Sequence, residues 1–318
     1  MNLPPGLELE RKNLGADLVA GATFAIVNVP QGMANAVLAS VNPVAGFYAL
    51  MIAMPVGAAF TGSVFMNVST TGALSVAAGE ALAPFGGDAK MGALVALVIL
   101  VGAFQLVFGL LRFGRLLRFV SNSVMTGFIT GIAVLIMFGS VSDITGYSST
   151  QPNHLLRLAD TVLNWRILDR QTLFLGVSTV LLILGFQRTA VAKFAMILAL
   201  AVTTGLAYAM SLAFGDGNVV LVGNIATIPR SLPAPVLPDL SKLPDIALPA
   251  LAIAIIGLIQ GAGVGQSYPN PDGRFPDPSR DFTGQGVANL VAGAFGAIPC
   301  GGSVSGTAVN YQAGAWSR

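Results

Sequence analysis

The chain has 318 residues, of which 54% are hydrophobic and 9% are charged, and its formal net charge at pH 7 is +2. Soluble globular domains carry about 25% charged residues, so the composition argues against that class, and the small net charge gives no support to a nucleic-acid partner. A single cysteine, Cys300, and a single histidine, His154, rule out a disulfide framework and argue against a metal site. We therefore expect a polytopic membrane protein within a lipid bilayer, with no catalytic residues, no metal and no cofactor, and not an enzyme.

The apolar runs divide into ten predicted helices. Most charge-free stretches exceed the roughly 20 residues that span a hydrocarbon core, and proline and glycine mark where the longest ones divide. The predicted helices cover 18–39, 44–60, 70–82, 91–111, 119–139, 171–186, 190–214, 246–265 and 282–297, and the tenth begins at 304. Lys and Arg gather before the first helix and after the fourth, sixth and eighth, which predicts a cytoplasmic N-terminus.

Two uncharged clusters of Gly, Ser and Thr interrupt the apolar pattern. One cluster, 66–72, leads into the third predicted helix, and the other, 299–312, surrounds the start of the tenth. Irregular backbone at membrane depth is tolerated only where it lines a cavity or is buried in protein. A helix start also presents unpaired N–H groups and about half a positive elementary charge, which favour an anion. The clusters therefore predict an anion site.

The positions of the two clusters separate this interpretation from a simpler one. Taken singly, either cluster could be an ordinary helix cap or a place where small residues let membrane helices pack closely. The first cluster belongs to the third helix of the chain, and the second to the third helix of a set that starts at the eighth. This equivalence is typical of inverted repeats with a binding site at the midplane between discontinuous helices.

Six short segments resemble the SulP family of anion transporters and exchangers. The segments are 17–21 (DLVAG), 29–34 (VPQGMA), 112–115 (RFGR), 123–128 (SVMTGF), 284–289 (GQGVAN) and 301–310 (GGSVSGTAVN). They follow the order of the family over nearly the whole chain, and the last is the best match. The chain is thus similar to the N-terminal portion of the SulP transmembrane domain.

The resemblance implies an all-α polytopic membrane fold. Family members have fourteen segments in two inverted repeats of seven, arranged as a core and a gate domain, and usually a cytoplasmic STAS domain. In that frame, 1–16 would be a cytoplasmic tail, 17–215 the first repeat, 216–245 an extracytoplasmic loop, and 246–318 the start of the second repeat. We expect this chain to be truncated within segment ten and to lack the STAS domain.

The resemblance also implies a function and a set of site residues. We expect secondary active transport of an inorganic or small organic anion, of the sulfate, bicarbonate, chloride or dicarboxylate class, across the cell's inner membrane. The family moves its core against its gate like an elevator, and dimers are common, so a homodimer remains open. Carried over by position, the substrate-binding residues are Gln31, Thr70, Thr71, Gly72, Gln260, Ser303, Val304, Ser305 and Gly306.

Three positions depart from the pattern of the family. Gly306 stands where many members carry Arg, so helix dipoles would provide the attraction, and Gly306→Arg is expected to strengthen anion binding. Gln31 and Gln260 stand where some members carry carboxylates, so a coupling proton or sodium ion is not assigned. Two alternatives stay open: a permease for a nucleobase-like neutral solute, and an anion channel in which the break is a selectivity constriction.

Overall fold

The structure, a computed structural model, describes residues 13–119, 122–147, 149, 154–189, 191–192, 195–214 and 233–317. In these ranges the helices are α1 (Leu14–Leu38), α2 (Pro43–Phe60), α3 (Gly72–Leu82), α4 (Asp88–Leu110), α5 (Asn122–Gly139), α6 (Val141–Thr145), α7 (His154–Leu163), α8 (Arg170–Gln187), α9 (Ala195–Phe214), α10 (Leu243–Ser267), α11 (Pro278–Gly293) and α12 (Val304–Gln312). The strands are β1 (Val68–Thr70) and β2 (Cys300–Gly302).

Each of the ten predicted helices corresponds to a helix of the structure, and their starts differ by five residues at most. The helix starts follow local chemistry. Pro43 and Pro278 occupy first-turn positions where no N–H partner is lost, and the side chains of Asn42 and Asp277 cap the same two helices. Most of the predicted cytoplasmic tail and of the predicted loop 216–245 lies outside the described residues.

Four described helical stretches are long and apolar enough to cross a membrane. They are Pro43–Phe60, Ala89–Leu110, Arg170–Gln187 and Leu240–Ser267. Two further stretches, Gly72–Leu82 and Ile197–Ala213, are apolar but shorter. The short third helix is the one that the first uncharged cluster precedes.

The chain folds as two units, and the first consists of Met1–Thr130 with Ala226–Arg318. Its core is apolar, and α11 packs closely along α4. A Cβ at Gly102 would lie 2.6 Å from the Leu290 nitrogen, and one at Gly286 would lie 2.5 Å from the Leu106 nitrogen. Glycine at both positions therefore lets the two helix backbones touch, as is common between membrane helices.

The second unit, Gly131–Ile225, is built around α6, α8 and α9. Asp169 caps α8 by accepting a hydrogen bond from the Thr172 nitrogen at 2.9 Å. Asp160 of α7 accepts a hydrogen bond from the Tyr147 hydroxyl at 3.2 Å, and this contact joins Tyr147 to the helix. The apolar side chains of α8 are largely exposed, which suits a lipid-facing helix.

The two uncharged clusters pair with each other as the antiparallel strands β1 and β2. Val68 lies opposite Gly302, Ser69 opposite Gly301, and Thr70 opposite Cys300, and all of these residues are buried. These strands are not predicted from the sequence, because each has only three residues and a strand signal needs a run of about 4–8. Their pairing has a physical reason, because backbone at membrane depth must find its partners within the protein.

Candidate functional site

The first helix start of the site is the N-terminus of α3. The Thr71 side chain accepts a hydrogen bond from the Leu74 nitrogen at 3.4 Å, and the Thr71 carbonyl accepts one from the Ser75 nitrogen at 3.0 Å. The N–H groups of Gly72 and Ala73 belong to the first turn, so they have no acceptor within the helix. Two backbone donors are thus left at the end of a helix whose dipole favours negative charge.

The second helix start, the N-terminus of α12, repeats this arrangement. The Ser303 hydroxyl accepts a hydrogen bond from the Gly306 nitrogen at 3.0 Å, and the Ser303 carbonyl accepts one from the Thr307 nitrogen at 3.0 Å. The first-turn N–H groups of Val304 and Ser305 have no acceptor within the helix. Each half of the site therefore consists of a three-residue strand, a hydroxyl cap and two backbone donors.

The two halves are joined directly through the strand pair. Because β1 and β2 are antiparallel, α3 and α12 leave the pair from opposite ends, and both N-termini are directed toward it. Asn67 extends the pairing, since its carbonyl accepts from the Ser303 nitrogen at 2.8 Å and its nitrogen donates to the Thr307 hydroxyl at 3.0 Å. The two helix ends, each with a partial positive charge, are thereby both connected to the β1–β2 strand pair.

Two glutamines link the halves crosswise. Gln31 lies in α1, in the part of the sequence before α3, but its Nε2 donates to the hydroxyl of Ser305 in α12, at 3.4 Å. Gln260 lies in α10, in the part of the sequence before α12, but it accepts a hydrogen bond from the hydroxyl of Thr71, the cap of α3, at 3.2 Å. The Ser303 and Ser305 hydroxyl oxygens lie 3.4 Å apart. The structure thus brings Gln31 to Ser305 and Gln260 to Thr71.

The remaining predicted residues take different positions. Thr70 is buried in β1, and its hydroxyl accepts a hydrogen bond from Asn35 Nδ2 at 2.9 Å, so this side chain links β1 to α1. The Val304 side chain is 43% exposed. A Cβ at Gly306 would lie 3.0 Å from the Ser303 hydroxyl oxygen and 3.2 Å from Phe24 Cε2. A side chain at position 306 would therefore need these neighbours to shift by a few tenths of an ångström.

Several polar side chains that sequence reasoning did not assign to the site contact the two breaks. They are Asn35, Asn67, Gln285, Asn289 and Thr307, and each is buried, as is Gln105, which contacts Asn289. Their only signal in the sequence is that amides and hydroxyls stand in otherwise apolar segments. In the described ranges, no group of three His, Cys, Asp or Glu side chains could hold a metal ion.

Comparison with known proteins adds an independent observation. A family model described as the sulfate permease family matches residues 14–318. The probable sulfate transporter 4.2 of Arabidopsis thaliana is 30% identical over 305 residues, which are 93% of this chain and 45% of the relative. The putative sulfate transporter YvdB of Bacillus subtilis strain 168 is 28% identical over 305 residues, which are 95% of this chain and 56% of the relative. The chain therefore spans about half the length of these relatives.

A solved structure shares the same fold. The transmembrane domain of a cyanobacterium bicarbonate transporter, BicA, superposes with a TM-score of 0.82 at 24% identity, covering 97% of this chain and 80% of that one. This likeness confirms the predicted all-α polytopic membrane fold, and inverted repeats are consistent with it.

Proposed function

Because the chain belongs to the sulfate permease family, we propose that it carries out secondary active transport of a small anion across the cell membrane. The anion is held between the N-termini of α3 and α12. The observation that carries this proposal is the matched pair of helix starts, each with a hydroxyl cap and two backbone N–H groups that have no acceptor within the helix.

The donors suit an anion that has several oxygens or a compact charge. The N–H groups of Gly72, Ala73, Val304 and Ser305 point toward the negative partner that a helix start favours, and two helix ends together present about one positive elementary charge. The Gln31 amide and the Thr71 and Ser305 hydroxyls add neutral donors. This set favours sulfate, bicarbonate, chloride or a dicarboxylate, and the relatives named above are sulfate and bicarbonate transporters.

The location of the site supports an elevator-like mechanism. Every predicted site residue lies in the unit formed by Met1–Thr130 and Ala226–Arg318. A movement of this unit would carry the anion without taking the site apart.

We place the N-terminus in the cytoplasm on the distribution of Lys and Arg. Gln31 and Gln260 are neutral, so neither supplies a group for a coupling proton, and a homodimer stays a prediction.

One observation favours a second candidate, a permease for a nucleobase-like solute. The predicted site residues include no charged side chain, and the Gln31 and Gln260 amides can each donate and accept hydrogen bonds. A planar neutral solute with adjacent donors and acceptors could pair with such amides. Because no predicted site side chain is charged, the side chains themselves do not favour an anion over a neutral base.

Binding measurements separate the two candidates. We would measure binding of labelled sulfate, bicarbonate, chloride, fumarate and uracil to the purified protein and to Ser305→Asp, which places a negative charge beside the α12 helix start. Ser267→Asp is the matched control, since Ser267 is exposed at the end of α10 and donates only to the Gly263 carbonyl, at 2.8 Å. Saturable anion binding that Ser305→Asp abolishes and Ser267→Asp keeps supports the anion site. Uracil binding in place of anion binding supports the permease.

A further inference from the structure

Helix α11 carries three polar side chains on one face, deep inside the first unit. Asp281, Gln285 and Asn289 are spaced four residues apart, so they lie in one row along the helix. Their exposed fractions are 1%, 0% and 0%. Buried polar groups of this kind are costly unless they are hydrogen-bonded, so the partners of this row decide what it does.

Each member of the row holds backbone either in β2 or in the loop that leads to β1. Asp281 Oδ1 accepts from the Gly62 and Ser63 nitrogens, at 2.7 and 2.9 Å, in the loop that leads to β1. Gln285 Oε1 accepts from the Gly302 nitrogen of β2 at 3.2 Å. A single helix thus contacts both β2 and the loop that leads to β1.

Asn289 acts on β2 as a neighbouring strand would. Its Oδ1 accepts from the Cys300 nitrogen at 2.8 Å, and its Nδ2 donates to the Cys300 carbonyl at 2.7 Å. Gln105 of α4 orients this amide, because Gln105 Oε1 accepts from the same Nδ2 at 2.8 Å. One edge of β2 is therefore paired with β1, and the other edge with amide side chains.

Helix α10 leaves room for this row by presenting glycine to it. A Cβ at Gly261 would overlap the Gln285 amide, and one at Gly265 would lie 3.0 Å from Asp281 Oδ2. Gly261 and Gly265 are also four residues apart, so they follow the spacing of the row. The row is consequently enclosed between α10 and the strand pair, and none of its members is available to touch a transported anion directly.

We propose that Asp281, Gln285 and Asn289 are positioning residues that hold the two helix starts at the separation and orientation that anion binding requires. The proposal rests on the proposed function of the site. The three side chains act through β1, β2 and the loop before β1, while the backbone donors of α3 and α12 contact the anion. Binding geometry is sensitive to displacements of about 0.5 Å in the supporting residues, so loss of one contact is expected to weaken binding and to change selectivity.

The test uses Gln285→Met in the full chain, purified in lipid nanodiscs. Methionine keeps the approximate length of the side chain and removes the acceptor of the Gly302 N–H. We expect the dissociation constants of sulfate and bicarbonate to rise about tenfold, with a changed ratio between them, because a buried donor left unpaired is costly. Thr283→Val on the same helix is the control, since the Thr283 hydroxyl donates only within the helix, to the Ser279 carbonyl at 3.0 Å.

A second readout does not depend on any anion. Hydrogen–deuterium exchange of residues 300–306 is expected to be faster in Gln285→Met than in Thr283→Val, without ligand. If Gln285→Met does not fold, Gln105→Met replaces it, because Gln105 supports β2 one contact further away. A folded Gln285→Met that keeps both the anion affinities and the exchange rates of the wild type would overturn the proposal. If the wild type binds no anion, the proposed function fails, and the exchange rates alone decide whether this row positions β2.

Discussion

The two helix starts of the site have the same backbone design, but different interactions hold them in place. Helix α3 is fixed by apolar packing, since Leu74, Ala78 and Leu82 are fully buried in the core. In helix α12 only Gly306 and Thr307 are buried, and hydrogen bonds with Asn289 and Gln285 hold β2, the strand before it. Equivalent geometry in the two halves therefore does not imply equivalent chemistry.

This difference predicts which half responds to which substitution. An apolar contact resists displacement in every direction, and its loss is felt mainly as a loss of stability. A hydrogen bond fixes one direction, so its loss changes geometry while much of the packing remains. We expect substitutions around α3 to change the free energy of unfolding, and substitutions around α12 to change the recognition of the anion.

The largest effect is expected from Leu74→Ala, which tests the apolar half. Leu74 is fully buried, and truncation of such a side chain costs about 2–5 kcal/mol of stability. The thermal unfolding midpoint of the purified protein is expected to fall, while the folded fraction keeps its anion affinity. Leu181→Ala is the control, because the Leu181 side chain is 62% exposed. Equal midpoints for the two variants would contradict the comparison.

A smaller effect is expected from Gly306→Arg, which tests the crowding at the start of α12. The new side chain meets Phe24 and the Ser303 hydroxyl, and overpacking of this kind costs about 1–3 kcal/mol. Ser305→Arg, at an exposed position two residues after the cap, is the matched variant and is expected to tighten sulfate binding. Tighter sulfate binding by Gly306→Arg with an unchanged midpoint would support the expectation from sequence.

The smallest effect is expected from removal of the two helix caps. Thr71→Val and Ser303→Ala each remove a hydroxyl that accepts an N–H of the first turn, at a cost of about 1 kcal/mol. Sulfate affinity is expected to fall further for Ser303→Ala, since less packing holds α12. Unfolding midpoints and sulfate dissociation constants of both variants give the comparison. The same loss of affinity in both would mean that the halves are equally rigid.

The helices and the two breaks could be predicted from the sequence because their signals are local. Pro43, Asn42 and the charge-free runs mark helix limits within a few residues. The clusters around Thr71 and Ser303 stand out because polar residues are rare in apolar segments. The crosswise bonds of Gln31 and Gln260 confirm neither ligand nor role, but they place both side chains beside the helix starts.

The strand pair and the polar row of α11 could not be predicted, because both depend on distant partners. Val68 pairs with Gly302, and nothing near either residue in sequence indicates the other. Gln285 and Asn289 look like ordinary polar residues of a helix until β2 lies against them. The close contact between Gly261 and Gln285 likewise depends on how α10 packs against α11, which the sequence of neither helix indicates by itself.

The register between β1 and β2 sets how this protein can change in length over evolution. Deletion of one residue from either strand would shift the pairing by about 3.3 Å and reverse the direction of every side chain in that strand. Both helix starts would lose their alignment at once, because each continues directly from a paired strand. Insertions and deletions should therefore accumulate in the loops between helices, while 68–71 and 300–303 keep a constant number of residues.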